Sequence, residues 1–298
     1  MSDPSECFER GVMYESGHGT EQDYAKAAEC YREAAEKGYA PAECALGELY
    51  MAGNGVPKDS KTGISYFRRS AEKGYGKGLF NMGMVYWAGA GVPKDMDAAR
   101  DYFLKAAEKD ELGAYVELGM LYINGNGVEQ DFREAGKWLL KAAEKGDEAS
   151  QFKVAYMYEE GTGFEKDEKK AYEWYLKSAE KGLPDSQFKV AAMMMSGAAD
   201  KDEEKAMQWY RKAAESGLVP AMFNLAMMKY SKEEYCEAFR WFEAGALKND
   251  SDCQFYLGRM YIEGKGAPKD MDKGVAWVKV AASNGNEAAR EVIRRSEG

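Results

Sequence analysis

The 298 residues contain one histidine, His18. A Ser-His-Asp relay would have to be built around it, and nothing near it in sequence supplies a third member. Zinc sites need spaced Cys/His pairs, and these are absent. The five cysteines (Cys7, Cys30, Cys44, Cys236 and Cys253) are odd in number and irregularly spaced. MSDPSECFER has no basic segment followed by an apolar one. No export signal is therefore read, and reduced, buried thiols in a cytosol are expected, with a Cys30–Cys44 or Cys236–Cys253 bridge left open. No window approaches ~18 continuous apolar residues, so no membrane-spanning helix is expected. A positive balance is missing as well. The net charge of −10 repels phosphate backbones, and the lysines and arginines alternate with glutamate as on solvated helix faces, so nucleic acid is not an expected partner. The acidic run DKDEEK at 200–205 lacks the glycine of a calcium loop and reads as a solvated helix start.

Glycine and aromatic residues are plentiful, and a repeat places them. GHGTEQD at Gly17 recurs as GNGVPKD at Gly53, GAGVPKD at Gly89, GNGVEQD at Gly125, GTGFEKD at Gly161 and GKGAPKD at Gly264, the first five copies lying 36 residues apart. A small residue keeps the same beat at Gly11, Gly47, Gly83, Gly119, Ala155 and Ala191, then falls at Ala226 and Gly258. An aromatic pair precedes a small-Ala step, as in Tyr66-Phe67 before Ser70-Ala71 and Tyr102-Phe103 before Ala106-Ala107. Units close on glycine at Gly38, Gly74, Gly146, Gly182, Gly217 and Gly285. Such periodicity is the signature of a stacked-repeat architecture.

Each unit reads as helix A, loop, helix B, short turn. Phe80, Met82, Val85 and Tyr86 recur at helical spacing, without strand alternation. The first loop glycine suits the left-handed residue past helix A, and Asp23, Asp59, Asp95, Asp131 and Asp167 sit where helix B needs an N-cap. Val56, Val92 and Val128 are expected to anchor the loop on the core. A nucleotide-binding Gly-x-Gly needs a strand before it, and every copy here follows a helix, so the motif is a helix connector. A glycine inside helix A costs about 1 kcal/mol relative to alanine. The expected compensation is close approach of helix B, with its Ala-Ala step facing the glycine.

No single hairpin buries its apolar face alone, so neighbours must stack. The expected fold is all-α. It is one domain over 1–298 with units at about 6–41, 42–77, 78–112, 113–148, 149–184, 185–220, 221–251 and 252–285, plus a C-terminal capping helix at 286–298. The beat is least regular near 195–236. There unit six carries the altered loop SGAADKDEEKA, and unit seven is four residues shorter between its helices.

AYVELGMLYINGNGVEQD (Ala114 to Asp131) and KAYEWYLKSAEKG (Lys170 to Gly182) resemble the two halves of the Sel-one-like repeat, a relative of the tetratricopeptide repeats. The resemblance covers about residues 6–285. It implies a right-handed α-α superhelix acting as an adaptor for a protein or peptide; no cofactor is expected, and the chain is expected to be a monomer or weak oligomer. A cysteine-rich, exported branch of the family is associated with β-lactamase-like hydrolysis; this chain lacks that branch's export signal and paired cysteines. The S-x-x-K pattern of acyl-transfer enzymes does occur at Ser70–Lys73 and Ser178–Lys181. Both instances read as the repeat's own AAEK step with serine for alanine.

In that architecture helix A lines the concave face. Counting from the small residue as zero, positions −1, +2 and +3 are expected to be buried. Positions −2, +1 and +5 point into the groove, with +4 at its border. Unit three contributes Asn81, Met84 and Trp87, and unit four Glu117, Met120 and Ile123. Unit five contributes Lys153, Tyr156 and Glu160, and unit six Lys189. Asn224 and Met227 come from unit seven, Tyr256 and Arg259 from unit eight. Methionine is flexible and polarizable, which suits an adaptable peptide surface, although packing against the next unit's helix A would also account for it.

Overall fold

The computed structural model describes residues 3–198 and 201–297, with the side chains of 296 and 297 outside that description. The described secondary structure is helical throughout. The A helices are α1 (Pro4–Ser16), α3 (Ala40–Ala52), α5 (Gly76–Ala88), α7 (Leu112–Asn124), α9 (Glu148–Glu160), α11 (Pro184–Ser196), α13 (Val219–Ser231) and α15 (Ser251–Glu263). The B helices are α2 (Tyr24–Glu36), α4 (Ser60–Glu72), α6 (Met96–Glu108), α8 (Phe132–Glu144), α10 (Glu168–Glu180), α12 (Glu203–Glu215), α14 (Tyr235–Leu247) and α16 (Met271–Ser283). A final helix, α17 (Glu287–Glu297), follows. Each of the first sixteen is 13 residues long, and with the loop and turn between them they make the 36-residue beat. In unit seven only residues 232–234 separate α13 from α14. The altered loop of unit six falls partly on residues 199 and 200, outside the described residues.

The chain forms two compact bodies. The first runs to Gly146 and includes Thr162–Glu165; the second comprises Asp147–Gly161 and the residues from Lys166 onward. The first holds α1 to α8 and the second α9 to α17. Inside each body every A helix packs on its own B helix, and a B helix packs on the next A helix, as α4 does on α5 and α14 on α15.

The loop chemistry accounts for the hairpin. Gly53 takes φ +83° and its N–H donates to the Leu49 carbonyl, ending α3 in a left-handed cap. Two residues on, Gly55 lies so close to the start of α2 that a Cβ there would stand 2.2 Å from the Tyr24 carbonyl carbon. The Asp59 N–H closes the loop on the Tyr50 carbonyl at 3.0 Å, while its side chain accepts from Lys61 and Thr62 N–H to cap α4. Asp23, Asp95, Asp131, Asp167, Asp202 and Asp270 cap their helices by the same means. Val56, Val92 and Val128 pack on the core as expected. Backbone N–H groups hold the carboxyls of Asp23, Asp167, Asp202 and Asp270 below the ordinary aspartate range, and the Thr62 hydroxyl does so for Asp59.

The small residue of helix A faces something other than the expected Ala-Ala step. A Cβ at Gly83 would lie 2.5 Å from the Phe103 ring, at Gly11 2.5 Å from Tyr31, and at Gly119 2.6 Å from Leu139. Where the small residue is glycine, the second member of the aromatic pair, or its apolar equivalent, therefore lies against the bare helix backbone. The small-Ala step serves the next crossing instead. A Cβ at Gly78 of α5 would meet the Ser70 hydroxyl of α4 at 2.5 Å, and one at Gly245 of α14 would meet the Cys253 sulfur of α15 at 2.4 Å. The tyrosine at +3 is half-buried, where burial was expected. It stacks on the first member of the aromatic pair, with ring centroids 5.8 Å apart for Tyr50–Tyr66 and 5.7 Å for Tyr86–Tyr102. In α1 even position +2 is open: Met13 is 45% exposed.

In five of the eight A helices position −4 carries a buried polar group: Glu43, Tyr115, Gln151, Gln187 and Gln254. Gln187, Gln254 and Tyr115 each donate from it to a carbonyl at the end of the preceding B helix: Ala179, Ala246 and Ala107. Glu43 occupies this position in α3 and has no proton to give when ionised. Arg69 resolves the conflict by donating to the Ala35 carbonyl while approaching Glu43 Oε1 to 2.7 Å, as does Lys73. Neither contact to Glu43 has hydrogen-bond alignment. In unit seven a lysine stands at +3: Lys229, buried, with its ammonium on Glu234 at 2.7 Å and Glu237 at 3.1 Å.

Two outcomes follow from this packing. Gly83→Leu should destabilise the chain by about 3 kcal/mol through overpacking against Phe103, seen as a lower denaturation midpoint. Asp23, Asp59, Asp167, Asp202 and Asp270 contribute stability that is present above the unfolded value of about 3.9 and lost as pH falls through their lower folded values. An acid titration followed by circular dichroism should therefore show a steep limb below about pH 4. Asparagine at Asp23, Asp59, Asp167, Asp202 and Asp270 should make that limb shallower.

Candidate functional site

The helical register sorts the A-helix side chains largely as the sequence implied. Position −1 is buried at Met82, Leu118, Val154 and Val190. Positions −2 and +1 are half-buried or exposed in units three to eight. In the first body, Asn81 donates to Glu48 Oε1 at 3.0 Å and to the Cys44 sulfur at 3.4 Å, and Lys77 reaches Glu48 at 2.8 Å. Met84 packs partly on the core and partly lines a cleft of about 460 Å³ between α3 and α5. Met51, Phe67, Val85 and Ala88 complete most of its apolar wall. Trp87 is exposed, with the Lys94 ammonium 6.0 Å above its ring. Met120 and Ile123 are half-buried on α7, and the Ile123 carbonyl accepts from Gln130. Glu117 is half-buried too, and burial pushes its carboxyl above the ordinary glutamate range.

In the second body, Lys189 donates to both Glu159 oxygens, at 3.0 and 2.8 Å, and its ammonium lies 5.9 Å from the Tyr156 ring centre. Tyr156 is 47% exposed, Lys153 half-buried and Glu160 exposed. Glu159 also accepts from the Tyr175 hydroxyl at 2.6 Å. Burial by itself would raise Glu159, but Lys189 and Tyr175 hold it below its ordinary range. Asn224 neighbours the Tyr210 hydroxyl, and Met227 packs against the core around Phe242. Tyr256 stacks on Phe242 at 5.2 Å, and Arg259 pairs with Glu263 at 3.0 Å. Packing between units thus accounts for part of the row, Met84 and Met227 included, while Met84 keeps one side open.

A second cleft, of about 620 Å³, was not expected. It opens on the B-helix side of the second body, lined by Arg211, Cys236, Glu237, Arg240, Trp241 and Ala244. Lysines three residues after Trp138, Trp174 and Trp209 place their ammonium 4.3, 3.7 and 4.1 Å from the indole. Ala244 occupies that place after Trp241, so this ring face stays open. The truncation was readable in the repeat.

The thiol expectation needs one correction: all five are free and four are buried, but Cys236 is exposed. Burial pushes the Cys44 thiol up to about 12, which removes it as a nucleophile. The two S-x-x-K serines are fully buried. Ser70 donates to the Ala40 carbonyl, while Ser178 donates to Glu148 and accepts from Ser186. His18 is exposed. Among the described residues no cluster of His, Cys, Asp and Glu has a metal-binding arrangement, and no helix is long and apolar enough to cross a membrane.

Hairpins of this length, joined by a Gly-x-Gly loop and stacked through small residues, define an α-solenoid. The Sel1 repeat matches eight stretches, at residues 7–39, 40–75, 76–111, 113–147, 148–183, 184–218, 219–250 and 251–286, and the chain belongs to this repeat family. The structure is similar to that of a Sel1 repeat protein from Oxalobacter formigenes, with a TM-score of 0.66 and 30% identity over 72% of this chain and 88% of that one. It is also similar to a protective antigen of uropathogenic Escherichia coli strains displaying an SLR fold, with a TM-score of 0.56 and 34% identity over 96% of this chain and 70% of that one. No curated protein matches the sequence. Sel1 repeat proteins are generally scaffolds for protein–protein interaction and typically non-catalytic.

Replacing Ser70 by alanine should cost no more than about 1 kcal/mol, since the Ala40 carbonyl loses only one neutral hydrogen bond. Any β-lactam or ester turnover by the parent chain that disappears in Ser70→Ala or Ser178→Ala would overturn the structural role given to these hydroxyls.

Proposed function

We propose that this chain is a non-catalytic scaffold that holds a segment of a partner protein along its A-helix face. The observation that carries the reading is the apolar cleft between α3 and α5, walled by Met51, Phe67, Met84 and Val85. An open apolar cleft beside flexible methionines is a surface that a partner's side chain would desolvate. Tyr156, Arg259, Lys153 and Glu160 are polar positions on the A helices of the second body. The free thiols agree with a reducing compartment, and the negative net charge weighs against nucleic acid. The reading requires no cofactor, and it has the chain acting as a monomer or weak oligomer.

The test is affinity capture from native lysate with the parent chain and with Met84→Asp/Met120→Asp, both checked for unchanged melting. Bound proteins should be lost from the double variant. Retention of every one of them would overturn the assignment of this face.

A further inference from the structure

The A-helix face of the first body contains two carboxylates of different standing. Glu48 on α3 is neutralised by Lys77 and accepts from Asn81. Glu117 on α7 has no cation and no hydrogen-bond donor among the described residues, although it is half-buried. The repeat register explains its burial. Asn81, at position −2, meets Glu48, at position +1 of the preceding A helix. Glu117 also stands at −2, and by the same register its counterpart at +1 of the preceding A helix is Met84. A half-buried carboxylate without a partner lowers the stability of the ionised fold, because nothing replaces the water it gives up.

Met84 also walls the apolar cleft between α3 and α5. An unpaired carboxylate and an apolar cleft therefore flank one side chain, on a chain whose net charge of −10 draws cations toward it. Adjacent packed helices lie 8–10 Å apart, which an extended chain spans in about three residues.

We propose that this face takes a polypeptide segment with a lysine or arginine about three residues from an apolar side chain, the base pairing with Glu117 and the apolar group filling the cleft beside Met84. The assignment rests on the reading of this face as partner-binding and adds the chemistry of the partner. Glu117 gives the pairing its charge preference, and Met84 supplies the contact common to both subsites.

The probe is a library of random dodecapeptides displayed on phage and selected on the full chain, with the winners synthesised and their affinities measured. Selected peptides should share a basic residue at about that distance from a leucine, methionine, isoleucine or phenylalanine. Norleucine in place of the lysine should weaken binding about tenfold. Glu117→Gln should weaken the lysine peptide by the same factor and leave the norleucine peptide unchanged. Met84→Asp should remove both. Glu117→Gln should also melt no lower than the parent at neutral pH, which separates a binding role from a structural one. Peptides that depend on Met84 but ignore Glu117→Gln would overturn the charge assignment while leaving the face reading intact. A selection that yields no Met84-dependent binder would overturn both.

Discussion

One contact recurs through the molecule: a ring or branched side chain of helix B laid on the bare backbone of helix A. Gly83 under Phe103, Gly11 under Tyr31 and Gly119 under Leu139 are instances of it. Each helical glycine gives up about 1 kcal/mol of helix propensity, and burial of the facing side chain returns more than that. Because this contact sets the A/B separation, it also sets where the next hairpin begins. The small pair eight residues apart across the turn, Ser70 with Gly78 or Gly245 with Cys253, then fixes the second crossing. Close packing at both crossings turns separate hairpins into a stack.

Most of this was legible in the sequence because it is local. The Asp caps, the left-handed glycines and the 36-residue beat each depend on residues a few positions apart. The partner of the glycine was not legible. Both an aromatic side chain and an Ala-Ala step recur in helix B at suitable spacing, and only the rotation of one helix about the other decides between them. The small pairs were visible as letters, but their meaning required knowing that α4 meets α5 as well as α3. The half-burial of the +3 tyrosines has the same origin, since a stacked ring at the edge of a crossing keeps one side in water.

The candidate face was legible in outline and obscure in detail. A wheel drawn from the small residue picked out Asn81, Met84, Glu117 and Met120 on one side, and all four are half-buried. It could not say that Glu48 would be neutralised by Lys77 and Glu117 left alone, because ion pairing across helices depends on side-chain reach between units. Glu43 teaches the same lesson from the core. The other polar residues at its position in the repeat are tyrosine and glutamine, both able to donate. Only the three-dimensional arrangement reveals that Arg69, on the B helix of Glu43's own hairpin, supplies the missing proton.

The helices pack closely against their neighbours along the chain, as α3 does on α4 and α4 on α5. Such a molecule has few interactions that close large loops, so its contact order is low and folding can begin at any hairpin. Drawn out from its ends, it should behave as a string of weak mechanical links in series. A full 36-residue hairpin, when released, adds roughly 120 Å of extended chain. A tether built this way lengthens in steps under load while the hairpins still folded keep their faces.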